Sequence, residues 1–288
     1  GASSYSFKAP KGLHGCRILL DEASVTATEN IVMAAALAEG CTTIYNAACE
    51  PHVQSLCHML NDMGASISGI GTNLITVNGV SELRGGTHAI GGDYIEAGSY
   101  MVAALVTGGD LTIEGVCPAD FEVLERPFRR FGVRWSIHDT TLRLPGNQRL
   151  RTAYDFGDAI PKIEDGPWPA FPSDLMSVLI VLATQTRGTT LFFEKMFESR
   201  MYFVDHLIGM GARIVQCDPH RIVVTGPTAL QATQVVSPDI RAGMALLIAA
   251  LCARRETVVL NAESVDRGYE HIDTSLRNLG ANIKRVPD

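Results

Sequence analysis

The sequence predicts an α/β (α+β) protein built from a repeated module of roughly 70 residues, and three observations carry that reading. The first is a recurring junction where a helix ends, the chain turns and a short β-rich strand follows. It reads AALAEGCTTIYN at Ala35–Asn46, AALVTGGDLTIE at Ala103–Glu114, VLATQTRGTTLFFE at Val181–Glu194 and IAALCARRETVVLN at Ile248–Asn261. Its turn residues Gly40, Gly108, Gly188 and Arg255 lie 68, 80 and 67 positions apart. The second is an amphipathic helix closed by glycine and followed by a strand, a turn and a strand. Those glycines, Gly64, Gly132, Gly211 and Gly280, are 68, 79 and 69 apart. The third is composition: 46% apolar residues, 7% aromatic and 27 glycines suit a mixed, turn-rich protein.

Two markers of different chemistry sharing one period define an internal repeat. Each module reads helix, strand, helix, hairpin, and four copies are expected. Glycine closes the second helix because it enters the left-handed region without a Cβ clash. The hairpin of Ala65–Val77 turns at Gly71-Thr72-Asn73, and that of Ala212–Val224 turns near Asp218-Pro219-His220. The longer interval before Gly188 marks an insertion, and residues 153–173, rich in Pro, Gly and acid, read as a loop. Modules with two helices and several strands favour closed domains over an open solenoid. A length of 288 residues suits two domains.

The net charge of −7 is spread along the chain without a basic stripe, so no nucleic-acid partner is expected. The apolar runs Leu175–Thr184 and Ala242–Ala253 are too short to span a bilayer, and no membrane association is expected. Seven cysteines form no CxxC pair and mostly sit in apolar company. They read as buried thiols of a reducing, cytoplasmic setting, with no disulfide framework and no zinc site. Walker, dinucleotide and GxSxG motifs are absent. The opening Gly1-Ala2-Ser3 lacks a Met and reads as a cloning scar or the cut end of a longer chain.

Four polar positions stand out. Asp174 follows two prolines in AFPSDLMSVL and opens an apolar helix, where a carboxylate is favoured by the helix dipole alone. Arg200 in FESRMYF, Arg241 in SPDIRAGMAL and Arg267 in SVDRGYEHID each read as lying at or near a helix start. That end is unfavourable for a cation, so three such arginines suggest an anion site. The plainer alternatives are ion pairs of Arg241 with Asp239 and of Arg267 with Asp266. Ser24-Val25-Thr26-Ala27-Thr28-Glu29-Asn30 opens another helix, either as a phosphate-holding turn or as a Thr26–Glu29 capping box.

The segments DEASVTATENIVMAAALAEG, PAFPSDLM, FESRMYFVDHLIGMGARI, SPDIRAGMALLIAAL and VDRGYEHIDTSLRNLGANI resemble the UDP-N-acetylglucosamine 1-carboxyvinyltransferase branch of the enolpyruvyl transferase family. The resemblance runs from about residue 10 to the C-terminus. It implies two inverted α/β barrel (α/β prism) domains of three modules each, with residues 1–91 the last part of domain one and 92–288 most of domain two. The family draws the final strand of domain two from its N-terminus.

The resemblance further implies enolpyruvyl transfer from phosphoenolpyruvate to the 3-hydroxyl of UDP-N-acetylglucosamine, the first committed step of peptidoglycan synthesis. It implies no metal and no organic cofactor. By position, Asp174 matches the carboxylate beside the sugar hydroxyl. Arg200, Arg241 and Arg267 match cations that handle the phosphate and carboxylate of phosphoenolpyruvate, with Asp239 beside Arg241 in the substrate-binding set. Met196 matches a backbone contact to the uridine or sugar, and Ser24, Val25 and Thr26 match the diphosphate turn. Where the family commonly reads SVGAT this chain reads SVTAT, which makes backbone approach at Thr26 less permissive. The family's Lys-Asn pair, reactive loop Cys and two further substrate-binding arginines fall in a stretch that precedes these residues. That stretch is therefore an expected partner, and residues 1–288 alone are expected to be inactive. The alternatives are an enzyme resembling 5-enolpyruvylshikimate-3-phosphate synthase and a non-catalytic nucleotide-sugar binding fragment.

Overall fold

The computed structural model describes residue 4 and residues 6–286, so the Gly1-Ala2-Ser3 opening lies outside the described residues. The chain forms two compact units: Gly1–Gly91 with Pro167–Pro169, and Gly92–Gly166 with Ala170–Asp288.

The first unit runs β1 (Arg17–Leu19), α1 (Val25–Ala36), β2 (Cys41–Tyr45), α2 (Pro51–Asp62), β3 (Ser66–Ser68) and β4 (Leu74–Asn78). Its sheet has the order β1-β2-β4-β3, with β1 parallel to β2 and the other pairs antiparallel. Alternation places Ile44 of β2 and Ile75 and Val77 of β4 inward, where they meet Val32 and Ala35 of α1 and Cys57 and Leu60 of α2. α1 is apolar well beyond this face, and Met33 and Leu37 stay exposed.

The second unit continues with α3 (Tyr94–Thr107), β5 (Leu111–Glu114), α4 (Pro118–Arg129), β6 (Ser136–His138) and β7 (Thr141–Leu144). There follow β8 (Lys162–Glu164), α5 (Ser173–Gln185), β9 (Gly188–Phe193), α6 (Val204–Gly209), β10 (Arg213–Gln216) and β11 (Arg221–Gly226). The chain closes with β12 (Gln234–Val236), α7 (Ile240–Cys252), β13 (Val258–Leu260) and α8 (Ile272–Asn278). In three modules the first strand pairs antiparallel with the second hairpin strand, as β2 with β4, β5 with β7 and β9 with β11. In three, a preceding strand adds on in parallel, as β1 on β2, β8 on β9 and β12 on β13.

All eight phase markers have positive φ, from +71° at Arg255 to +132° at Gly188. The repeat is therefore a repeat of backbone turns, and at Arg255 an L side chain is held in the same conformation. The predicted apolar runs became α5 and α7, which pack against each other and against α3. Each is apolar nearly all round because it is surrounded by protein nearly all round: α5 is buried from Leu175 to Thr184 and α7 from Ala242 to Ala249. Close approach needs a missing side chain at Gly98 of α3, where a Cβ would lie 2.9 Å from Leu175 Cδ1.

Three expectations need correction. The loop predicted over 153–173 contains β8, whose Lys162 pairs with Leu191 and whose Ile163 is buried. Three residues between turn-formers are too few for periodicity to register. The fourth module has no hairpin among the described residues, because Ala281–Val286 form no ladder. The thiols are not mostly buried: Cys16, Cys41, Cys117 and Cys217 are exposed and only Cys57 is fully enclosed. Cys41 points outward from β2, Cys117 precedes α4 and Cys217 sits beside a hairpin turn, so local apolar company misled.

Candidate functional site

The site in the second unit is assembled from the starts of inner helices. Pro172 leads the chain into α5 from extended backbone, which puts Ser173 and Asp174 in the first turn. The unpaired N–H groups and the dipole of that turn favour the Asp174 carboxylate. α7 starts from Asp239, whose Oδ1 accepts the N–H groups of Arg241 at 2.7 Å and Ala242 at 2.9 Å. Asp239 is thus a helix cap, and the alternative Arg241–Asp239 ion pair does not form.

The Arg241 side chain reaches across to Asp174 instead, Nη2 to Oδ2 at 2.7 Å. Arg200, from the turn ahead of α6, takes the other oxygen, Nη1 to Oδ1 at 3.1 Å. One carboxylate therefore binds two guanidinium groups, one at each oxygen. Arg200 also lies over the Phe197 ring at 4.8 Å, and Arg241 beside that of Tyr269 at 5.7 Å. Burial works against the charge of Arg241, but Asp174 and Tyr269 outweigh it and raise its pKa above the ordinary value.

A directed chain of hydrogen bonds orients Arg241. Its Nη1 donates to Tyr269 Oη at 3.4 Å. Ser99 Oγ donates to the Ile95 carbonyl at 2.9 Å, so at the 2.8 Å contact between Tyr269 and Ser99 the phenol is the donor. Burial raises the Tyr269 pKa and keeps the phenol protonated for this role. The chain ties the start of α7 to the start of α3. Ser99 and Tyr269 were missed in the sequence, although Tyr269 stands inside the quoted DRGYEHID; a phenol that must bury its ring and satisfy its hydroxyl was the available signal.

Arg267 is placed differently from the other two arginines. It ends a 3-10 segment, Ala262–Arg267, rather than starting a helix, because α8 begins only at Ile272. Its side chain is exposed and makes no ion pair among the described residues. The alternative pairing with Asp266 does not form, since Arg285 holds Asp266 through two contacts at 2.6 and 2.7 Å. The backbone beside it nevertheless passes close to the cluster: a Cβ on Gly268 would lie 2.7 Å from Ile240 Cγ2 and 3.6 Å from Arg241 Nη1. Met196 is exposed, and its N–H donates to Glu194 Oε1 at 3.2 Å.

In the first unit Ser24 caps α1, its Oγ accepting from Ala27 N–H at 3.3 Å. The Thr26–Glu29 capping box does not form, because the helix begins two residues earlier, at Val25 with Ser24 as its cap. Thr28 is the buried hydroxyl of this turn; it donates to the Ser24 carbonyl and accepts from Ala48 N–H. Thr26 stays exposed, 3.5 Å from Ser24 Oγ.

A family model described as EPSP synthase (3-phosphoshikimate 1-carboxyvinyltransferase) matches residues 4–276. The chain belongs to that enolpyruvyl transferase family. A UDP-N-acetylglucosamine 1-carboxyvinyltransferase of Treponema denticola is 55% identical over 281 residues, which are 98% of this chain and 66% of that relative. The chain thus spans a little under two thirds of the relative's length. The crystal structure of the enolpyruvyl transferase NikO from Streptomyces tendae superposes with a TM-score of 0.82 at 25% identity, over 95% of this chain and 66% of that one. An EPSP synthase from Acinetobacter baumannii gives 0.73 at 19% identity, over 96% and 64%. The modules therefore build the inverted α/β barrel fold of the enolpyruvyl transferases. No helix among the described residues is long and apolar enough to cross a membrane.

Proposed function

We propose that the protein carrying this chain transfers the enolpyruvyl group of phosphoenolpyruvate to the 3-hydroxyl of UDP-N-acetylglucosamine, opening peptidoglycan synthesis in the cytoplasm. The observation that supports this best is Asp174 held between Arg200 and Arg241 at the starts of α5 and α7. In the addition step the sugar hydroxyl oxygen bonds to C2 of phosphoenolpyruvate, its proton passes to a base, and C3 gains a proton. In the elimination step C3 loses a proton, the C2–O bond to phosphate breaks, and inorganic phosphate leaves behind an enol ether.

Asp174 is the base in this reading. A carboxylate has about four lone-pair positions, so two guanidinium contacts leave room for a hydroxyl. Arg200 and Arg241 offer planar forks matched to phosphate and carboxylate, fixed where the substrate charge lies. Arg267, exposed and unpaired among the described residues, is a further anion-binding arginine. Ser24, Val25 and Thr26 take the diphosphate at the capped start of α1, and Met196 meets the uridine or sugar through its backbone. The reaction uses no metal or organic cofactor in this reading, and the acid that serves C3 comes from protein outside residues 1–288. Residues 1–288 alone therefore turn over below detection.

The experiment is phosphate release by the full-length protein with both substrates, set beside calorimetric binding of UDP-N-acetylglucosamine and shikimate 3-phosphate. The second reading, action on shikimate 3-phosphate, is favoured by the description of the matching family model. Tighter binding of shikimate 3-phosphate than of the nucleotide sugar would establish it instead.

A further inference from the structure

One position of the repeat faces its parallel neighbour in three modules, and in two of them an amide side chain bridges to that neighbour's carbonyl. Asn46 follows β2, Glu194 follows β9 and Asn261 follows β13. The parallel neighbour places one residue opposite each: Leu20 after β1, Asp165 after β8 and Ser237 after β12. Asn46 Nδ2 donates to the Leu20 carbonyl at 3.0 Å, and Asn261 Nδ2 donates to the Ser237 carbonyl at 2.7 Å. In the third module an acid stands in place of the amide, and it faces a second acid. Asp165 and Glu194 are both fully buried and stand opposite each other at the end of the β8–β9 ladder.

A carboxylate has no hydrogen to donate. Glu194 can match the asparagines only as the neutral acid. The surrounding contacts agree. Ser173 Oγ donates to the Glu194 carboxyl group, 2.9 Å from both oxygens, and Oε1 also accepts from the N–H groups of Met196 and Phe197 at 3.2 Å. Asp165 Oδ1 accepts from Lys195 N–H at 2.6 Å. Asp165 Oδ2 is buried, with no N–H or hydroxyl donor. A proton on Glu194 is the donor that completes it, and it also avoids two bare charges side by side in a buried site.

We infer that Glu194 is a positioning residue: sharing one proton with Asp165, it fastens the turn that carries Arg200 to the Ser173–Asp174 start of α5. This rests on the roles proposed above for Asp174 and Arg200, and it adds what sets their separation. Burial, then the hydrogen bond and charge of Asp165, push the Glu194 carboxyl up to about 8. Among the charged neighbours, Arg200 pulls the other way. Lys195 pairs with Glu164, as does Lys162 of β8. Asp174 is taken by its two arginines, and His220 Nδ1–H donates to the Glu194 carbonyl at 2.7 Å.

The test compares the full-length protein with its Glu194→Gln, Glu194→Ala and Asp165→Asn variants. Gln keeps the accepting oxygen and brings a permanent N–H donor. Infrared spectra of the parent should contain a protonated-carboxyl stretch at pH 7 that fades above about 8 and is missing in Glu194→Gln. The folded protein holds this proton where the unfolded chain does not. Its stabilising effect is therefore full below the ordinary value of 4.5 and is lost as pH rises to about 8. The melting temperature of the parent should fall across that window, and those of Glu194→Gln and Asp165→Asn should fall less.

Glu194→Ala should lower kcat by about 10²-fold through misplacement of Arg200, and Gln should restore it and remove the alkaline loss of activity. Lack of the infrared band, or an unchanged melting slope in Gln, would overturn the shared proton. A band accompanied by undiminished kcat in Ala would overturn the positioning role. If Ala does not fold, an alkaline loss of kcat that persists in both Gln and Asn overturns it instead. Failure of the parent to transfer enolpyruvyl would overturn the substrate reading, while the infrared and melting measurements would still decide the carboxyl pair.

Discussion

Asp174 and Arg241 meet at 2.7 Å across the first turns of two inner helices. They lie 67 residues apart in the chain, one period of the repeat. The contact answers an awkward placement: Arg241 stands at the positive end of α7, and Asp174 supplies the opposite charge that its own helix dipole lacks there. Arg200 completes the group on the other carboxylate oxygen.

Replacing Asp174 by Asn removes the base and keeps the shape. Sugar-nucleotide binding by the full-length protein should stay within about tenfold, while kcat should fall by at least roughly 10²-fold. Steady-state kinetics and calorimetry on the same preparation check both halves. Near-parental turnover would take Asp174 out of the chemistry.

Arg267→Ala separates binding from folding. The side chain is exposed and has no ion pair among the described residues, so unfolding free energy should change by no more than about 0.5 kcal/mol. The KM for phosphoenolpyruvate should rise more than the Kd for UDP-N-acetylglucosamine, because a fork matched to phosphate or carboxylate is lost. Equal losses for the two substrates, together with a lowered melting temperature, would point to a structural role.

Tyr269→Phe interrupts the chain from Arg241 to Ser99. Ser99 keeps its bond to the Ile95 carbonyl and Arg241 its contact with Asp174, so the stability loss should be about 1–3 kcal/mol for the two hydrogen bonds of the phenol. The functional loss should appear as weaker phosphoenolpyruvate use, because the guanidinium of Arg241 is no longer held in one orientation. Urea titration and a KM measurement test the two effects separately.

Gly98→Ala probes the packing that brings the helix starts together. The added methyl would lie 2.9 Å from Leu175 Cδ1, and Leu175 is fully buried and cannot move aside freely. A loss of about 1–3 kcal/mol is expected from overpacking. Stability unchanged or increased in a denaturant titration would show that α3 and α5 have slack at this crossing.

Thiol labelling followed by mass spectrometry should sort the cysteines by enclosure. Cys16, Cys41, Cys117 and Cys217 are exposed and should react first. Burial pushes the thiols of Cys57 and Cys252 up to about 11, leaving little thiolate near neutral pH. Early modification of Cys57 in the native protein would reveal opening of the first unit around α2.

The sequence by itself determined where the modules begin and turn, because a turn is a local event. Gly40, Gly64, Gly132 and their counterparts record backbone conformations that neighbouring residues alone require. It also held the apolar runs Leu175–Thr184 and Ala242–Ala253, which became α5 and α7 and leave no face for water. The tertiary structure decided which candidates meet. Three arginines stand near predicted helix starts, yet two reach Asp174 and Arg267 does not. The difference lies in how each backbone leaves its helix or turn and in the close passage at Gly268, neither of which has a local signature. The parallel register of β8 on β9 likewise set Asp165 opposite Glu194. Two carboxyl groups 29 residues apart became a buried, proton-sharing pair only because a three-residue strand paired in one register and not its neighbour.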